Sequence, residues 1–180
     1  MLEITLPKRE LWDEAKCKFI DVPEQTLRLE HSLVSLSKWE SKWCKPFLSS
    51  QQKTMDEFVD YVKMMTITQN VDPIQYIYID QQSLLKIKDY IDAPMTATTF
   101  SDTGKGKKSK EIVTAEIIYH WMIALQIPFE CQKWHLNRLL TLIRVCSIKN
   151  EPPKKMSKRE LANRNTALNE ARRRKLNTKG

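Results

Sequence analysis

Four side chains in the second half of the sequence could bind a metal ion or form a nucleophile–base pair. Glu116 and His120 are four residues apart, as are Cys131 and His135, and this spacing puts each pair on one helix face. Structural zinc sites usually rest on closely spaced Cys, however, and none of the four Cys forms a CxxC pair. We therefore expect a buried Glu116–His120 hydrogen bond and a core thiol at Cys131, with no catalytic residue, metal or cofactor.

A second possible chemistry is DNA binding by the two helices predicted on either side of residues 126–129. A connection of this length suits a helix-turn-helix motif, in which Lys133, Asn137 and Arg144 would face the groove. Any two antiparallel helices give the same pattern, and the Gly often found in the turn is missing. A nucleic-acid-binding protein therefore remains an alternative.

Positive charge is concentrated at the C-terminus. The last thirty residues hold ten Lys/Arg against three Asp/Glu, whereas the first hundred hold twelve against fifteen. This asymmetry predicts an acidic partner, either a protein surface or nucleic acid. Four consecutive cations at the end of a helix cover its whole circumference, which favours diffuse contact over base readout. The predicted partner-binding residues are Lys154, Lys155, Lys158, Arg159, Arg164, Arg172, Arg173, Arg174 and Lys175, with a secondary group at Lys105, Lys107, Lys108 and Lys110.

Composition predicts an α+β fold that is mainly α-helical. The 180 residues contain only three Gly, which argues against all-β folds and phosphate-binding loops. Alternating apolar residues predict a small N-terminal β-element, a hairpin or three short strands, interrupted by Pro7 and Pro23. A bundle of about five or six helices should follow it.

Capping signals and apolar spacing predict where these helices lie. Ser32 opens the first helix, and Thr54 with Glu57 forms a capping box at the second. The second helix should have an apolar face and an outward polar face, comprising Met55, Phe58, Val59, Val62 and Met65 on one side and Asp56, Asp60 and Lys63 on the other.

The later helices are predicted in the same way. Residues 112–125 are apolar nearly all round and should form a buried central helix. Residues 130–147 should form the next helix. Ser157 and Glu160 predict a capping box for a last helix over residues 158–175, whose few apolar residues give it little area to bury.

These elements predict one globular domain over residues 1–150 and a basic helical extension over residues 151–180. Within the domain, residues 1–31 form the β-element and residues 32–150 the helical core, which includes an irregular loop at 93–110. No apolar run is long enough to cross a membrane, so we predict no membrane partner. The oligomeric state is left open.

Five stretches of the sequence together resemble a family of small proteins encoded in the structural gene clusters of long-tailed bacteriophages. They read LEHSLVSLSKWESKW (29–43), TITQNVDP (66–73), APMTATTF (93–100), CQKWHLNRLLTLIRVC (131–146) and PPKKMSKRE (152–160). The resemblance spans most of the chain. Members of this family are commonly assigned as tail assembly chaperones.

The resemblance implies a non-enzymatic tail assembly chaperone that binds the tape measure protein, the tail-tube protein, or both. Such a protein would act in the host cytoplasm during phage assembly. A structural virion component of the tail or head–tail junction is an alternative. The resemblance transfers no catalytic residue, and nucleic acid remains a further partner for the basic end.

Overall fold

The chain has an α+β fold that is mainly helical, which confirms the predicted fold class. The structure, a computed structural model, describes residues 1–13, 17–49, 52–100, 112–150 and 158–177. In these residues four short strands come first and seven α-helices follow. The chain divides into two compact units, Met1–Ser147 and Ile148–Gly180.

The N-terminal β-element consists of two antiparallel ladders of two strands each. The strands are β1 (Leu2–Leu6), β2 (Arg9–Asp13), β3 (Lys18–Val22) and β4 (Gln25–Leu29), and β1 pairs with β4 while β2 pairs with β3. Pro7 and Pro23 lie in the gap between the two ladders. Because proline has no backbone N–H to donate, it interrupts pairing at this point. The small β-element predicted as a hairpin or three short strands is confirmed, and it contains four strands.

The β1–β4 ladder covers one side of the core. Ile4 lies opposite Leu27 in the register, and both are buried, as are Leu6 and Leu29. The other face is polar: the Arg28 Nε atom lies 3.4 Å from a Glu3 carboxylate oxygen. The period of two in the sequence therefore reflects one buried and one solvated face.

The helices begin and end at local signals. They are α1 (Leu33–Trp43), α2 (Met55–Met65), α3 (Pro73–Ile77), α4 (Gln81–Asp92), α5 (Ala115–Ala124), α6 (Leu136–Asn150) and α7 (Lys158–Leu176). The Ser32 side chain caps α1 and the Thr54–Glu57 capping box opens α2, as predicted. Cys44, with a φ of 51°, ends α1 in the left-handed conformation that Gly more often supplies.

Two details of the predicted helices are wrong. Residues 130–147 do not form one helix, because a 3-10 helix (Phe129–Lys133) precedes α6. The backbone of His135 instead bridges Ser32, and the Leu136 N–H donates to the His31 carbonyl at 2.7 Å. The central helix is not buried all round, since Ile123 is 61 % exposed.

The predicted polar face of α2 also needs correction. The sequence predicts an outward Asp60, but its side chain is only 13 % exposed and forms ion pairs with Lys42 and Lys63. Tyr61, which was not predicted to face the core, is fully buried there. Met55, which was predicted to lie on the apolar face of α2, is 64 % exposed in the first turn of this helix.

A buried carboxylate joins distant parts of the unit Met1–Ser147, which we call the folded unit. Glu40 on α1 accepts one hydrogen bond from the Phe47 N–H and another from the Ala115 N–H, both at 2.7 Å. Both oxygens are therefore satisfied although the side chain is 7 % exposed. The apolar core around it includes Leu27, Leu29, Leu33, Leu36, Trp39, Tyr61, Ile87, Ile118, Met122, Leu136 and Leu139.

Candidate partner-binding site

The helix α7 carries most of the described residues predicted to bind a partner. It has 19 residues, and every one of its side chains that the structure describes is exposed. The sequence of α7 contains seven Lys/Arg and two Glu. The predicted contact residues within it are Lys158, Arg159, Arg164, Arg172, Arg173, Arg174 and Lys175.

The cations surround α7 on every side. Successive residues of an α-helix are about 100° apart, so Arg172 to Lys175 cover its circumference. Three of these cations lie in the last turn, where the negative end of the helix dipole favours positive charge. This arrangement suits an extended acidic surface that approaches from any direction.

Leucines form an uncovered stripe on α7. Leu161 and Leu168 are seven residues apart and therefore project from the same side of the helix. Leu161 is 49 % exposed and Leu168 is 45 % exposed. The helix therefore offers apolar contact area as well as charge.

The other predicted contact residues lie outside the described part of the chain. These are Lys154 and Lys155 before α7, and Lys105, Lys107, Lys108 and Lys110 between α4 and α5. Ser157 of the capping box predicted for α7 also lies outside it. The predicted irregular loop at 93–110 is described only as far as Phe100.

The surface predicted to read DNA is partly used by the fold itself. Asn137 donates through its side-chain amide to the Ile91 carbonyl at 2.9 Å and to the Ala93 carbonyl at 2.8 Å. The guanidinium carbon of Arg144 lies 4.0 Å from the centre of the Phe100 ring. The assignment of Asn137 to a groove-facing position is therefore wrong, because its amide satisfies carbonyls at the end of α4.

The predicted Glu116–His120 hydrogen bond is also wrong. Both side chains are exposed on α5, because this helix turns Ala115, Ile118 and Met122 towards the core instead. Cys131, in contrast, is buried, as expected for a core thiol, and burial raises its pKa. Among the described residues no group of His, Cys, Asp and Glu side chains could hold a metal ion.

A buried polar cluster around His31 and His135 was not predicted from the sequence. The His31 Nδ1 atom lies 2.5 Å from the Tyr61 hydroxyl oxygen, and the ring centres of His31 and His135 are 5.1 Å apart. His135 donates through Nε2 to the Tyr90 carbonyl at 2.9 Å. These contacts join helix and loop segments far apart in sequence, so no local spacing indicates them.

Burial disfavours the charged form of both histidines in the cluster. Burial, with a smaller contribution from the neighbouring His135, lowers the pKa of His31 to about 3. The pKa of His135 is also lowered, chiefly by burial. Since His31 is 2 % exposed and His135 5 % exposed, the cluster is a set of satisfied core hydrogen bonds rather than a substrate site.

An open groove between α2 and α4 is lined mainly by apolar side chains. Its volume is about 340 Å³, and Met55, Phe58, Leu84 and Leu85 contribute to its walls. The charged residues in its lining, Lys53 and Lys88, are both cations. A groove of this kind contains no acid–base pair for catalysis.

An exposed aromatic pair on the β2–β3 hairpin was likewise missed. Trp12 is 53 % exposed and Phe19 is 67 % exposed, and their ring centres lie 5.0 Å apart in an edge-to-face arrangement. Trp12 follows Leu11 and Phe19 precedes Ile20, so the sequence does not distinguish these two rings from core residues. An aromatic side chain on such a segment faces either a core or a partner.

Comparison of the chain with protein-family models, curated proteins and solved structures finds no match. Of the described helices, none combines the length and apolar character needed to cross a membrane. The resemblance to phage tail-cluster proteins therefore stays a prediction based on the sequence stretches given above.

Proposed function

We propose that the chain is a non-enzymatic tail assembly chaperone of a long-tailed bacteriophage. In this role it binds the tape measure protein or the tail-tube protein through α7, in the host cytoplasm during assembly. The observation that carries the proposal is the exposure of α7, a helix with seven cations and a leucine stripe. The phage context comes from the resemblance of the sequence.

The physical argument concerns what an uncovered cationic helix gains from a partner. Burying Leu161 and Leu168 against another protein contributes about 25 cal/mol for each Å² of apolar area removed from water. Arginine also pairs with carboxylates through two parallel hydrogen bonds. An elongated partner with acidic and apolar side chains would supply both contacts at many positions along its length.

Co-expression followed by affinity capture tests this proposal. The full chain is expressed with the tape measure and tail-tube proteins of the same phage, and bound protein is measured after capture of the chain. A variant with Arg172→Gln, Arg173→Gln and Arg174→Gln should capture much less partner, because these cations lie at the exposed end of α7.

A matched control removes the same charge from the folded unit. Lys38→Gln, Lys86→Gln and Lys88→Gln change three exposed lysines of α1 and α4. This variant should capture as much partner as the unmodified chain. Equal capture by both variants, or no capture of either phage protein by the unmodified chain, would count against the proposal.

The alternative of a structural virion component is favoured by the same exposed helix, which could hold a neighbouring subunit. Mass spectrometry of purified particles separates the two roles. Stoichiometric presence of the chain in mature particles supports the virion component, whereas its absence supports the chaperone.

Binding of nucleic acid would show itself by a steep loss of affinity with added salt.

A further inference from the structure

One face of the β2–β3 hairpin combines aromatic and acidic side chains. The register pairs Trp12 with Phe19 and Glu10 with Asp21. Because side chains alternate between the faces of a strand, these four lie on the same face. We call this set, Glu10, Trp12, Phe19 and Asp21, the aromatic–acidic face.

This face is unfavourable as long as nothing covers it. Two carboxylates directly opposite each other across a ladder repel, and an isolated two-stranded hairpin is only marginally stable in water. The Lys8 Nζ atom lies 3.4 Å from the Asp21 Oδ1 atom. Both side chains are largely exposed, however, and solvent weakens their attraction. The two rings add apolar area that the solvent still contacts.

The chain itself contains a segment of complementary chemistry. The helix α7 presents arginines, which stack on aromatic rings and pair with carboxylates, next to exposed leucines that can pack on Trp12 and Phe19. The apolar groove between α2 and α4 has the wrong charge for α7, since its lining carries Lys53 and Lys88.

We propose that the aromatic–acidic face binds α7 of a second copy of this chain. The two surfaces differ, so the contact is head-to-tail and each bound copy leaves one free face and one free helix. Copies then associate into rings or open chains. This self-association goes beyond the proposed function, because it needs no other protein.

The contact should be weak and sensitive to salt. A two-stranded hairpin face and one helix bury less than the ~800 Å² per partner of a standard stable interface. Its charges are exposed, so ions screen them beyond about 8 Å at physiological ionic strength. Association should therefore rise with protein concentration and fall with added salt.

Sedimentation of the purified full chain tests the proposal with two variants. The face variant carries Glu10→Gln, Phe19→Ser and Asp21→Asn, and the helix variant carries Arg172→Gln, Arg173→Gln and Arg174→Gln. The unmodified chain should gain mass with concentration in low salt. Each variant alone should stay a monomer, because each lacks one half of the contact.

An equal mixture of the two variants is the decisive measurement. The face variant still has its helix and the helix variant still has its face, so the mixture should form a dimer and nothing larger. The test remains valid even if the face variant loses its hairpin, since the mixture uses the hairpin of the other variant. Ile123→Ser, a change at an exposed apolar residue of α5, should leave association unchanged.

Three results would overturn the proposal. The unmodified chain could remain a monomer at every concentration in low salt. Either variant alone could associate as strongly as the unmodified chain, which would place the contact elsewhere. The mixture could also stay monomeric, which would show that the face and α7 do not bind each other.

Discussion

The folded unit and α7 use the same residue types in opposite ways. In the folded unit Leu27 is fully buried and the Glu40 carboxylate is satisfied by two backbone N–H groups. In α7 Leu168 is 45 % exposed and the arginine side chains are exposed as well. Stability is therefore concentrated in the folded unit, whereas α7 supplies electrostatic attraction for a partner.

Substituting one leucine in each unit should give the largest difference in stability. Leu27→Ala should lower the free energy of unfolding by roughly 2–5 kcal/mol, because it removes fully buried methyl groups and leaves a cavity. Leu168→Ala should change it by less than about 0.5 kcal/mol, since the site is exposed. Urea denaturation followed by circular dichroism measures both.

A comparable loss from the two leucine variants would contradict the division. It would show that Leu168 is covered in solution and that α7 adds to the stability of the whole chain. The expression level and native circular dichroism spectrum of Leu168→Ala serve as the control that the variant folds.

Acid should weaken the folded unit through its buried histidines. His31 has a pKa of about 3 in the folded chain, whereas a histidine in an unfolded chain has a pKa of about 6.5. The unfolded chain therefore binds more protons throughout this window, and the free energy of unfolding falls as the pH drops from about 6.5 towards 3. Urea midpoints measured at pH 7, 6 and 5 should decrease in that order.

Two histidine variants sharpen this pH dependence. His31→Gln should flatten the slope between pH 7 and 5, because one buried group no longer takes up a proton on unfolding. His120→Gln, at an exposed position on α5, is the matched control for replacing an imidazole with an amide. Equal slopes for the unmodified chain and His31→Gln would remove His31 as the cause.

Removing three of the seven cations of α7 should have the smallest effect on stability. The variant with Arg172→Gln, Arg173→Gln and Arg174→Gln should unfold within about 0.5 kcal/mol of the unmodified chain, as exposed substitutions usually do. The same urea denaturation measures it. A larger loss would mean that these arginines make contacts that stabilise the folded unit.

Local signals in the sequence predicted the parts of the fold that local interactions determine. The Thr54–Glu57 capping box and the alternation through Ile4 correspond to hydrogen bonds and burial within a few residues. The N-cap at Ser32 was likewise predictable, although its capping partner is Ser35 rather than an acidic residue.

Long-range contacts explain what the sequence did not reveal. The pairing of Ser32 with His135 shortens α6, and nothing near residue 135 indicates it. Asn137 has a polar side chain typical of a surface, but its amide is used by carbonyls at the end of α4. The exposed pair Trp12 and Phe19 was missed because an aromatic residue in a strand usually indicates a core.

The two hydrogen bonds of Glu40 have a consequence for synthesis on the ribosome. The Phe47 N–H lies seven residues further along the chain, whereas the Ala115 N–H lies seventy-five residues away. Until residue 115 has left the exit tunnel, one carboxylate oxygen lacks its native donor and must keep water. The Glu40 carboxylate can therefore lose its last water only after α5 has been synthesised and has packed against α1.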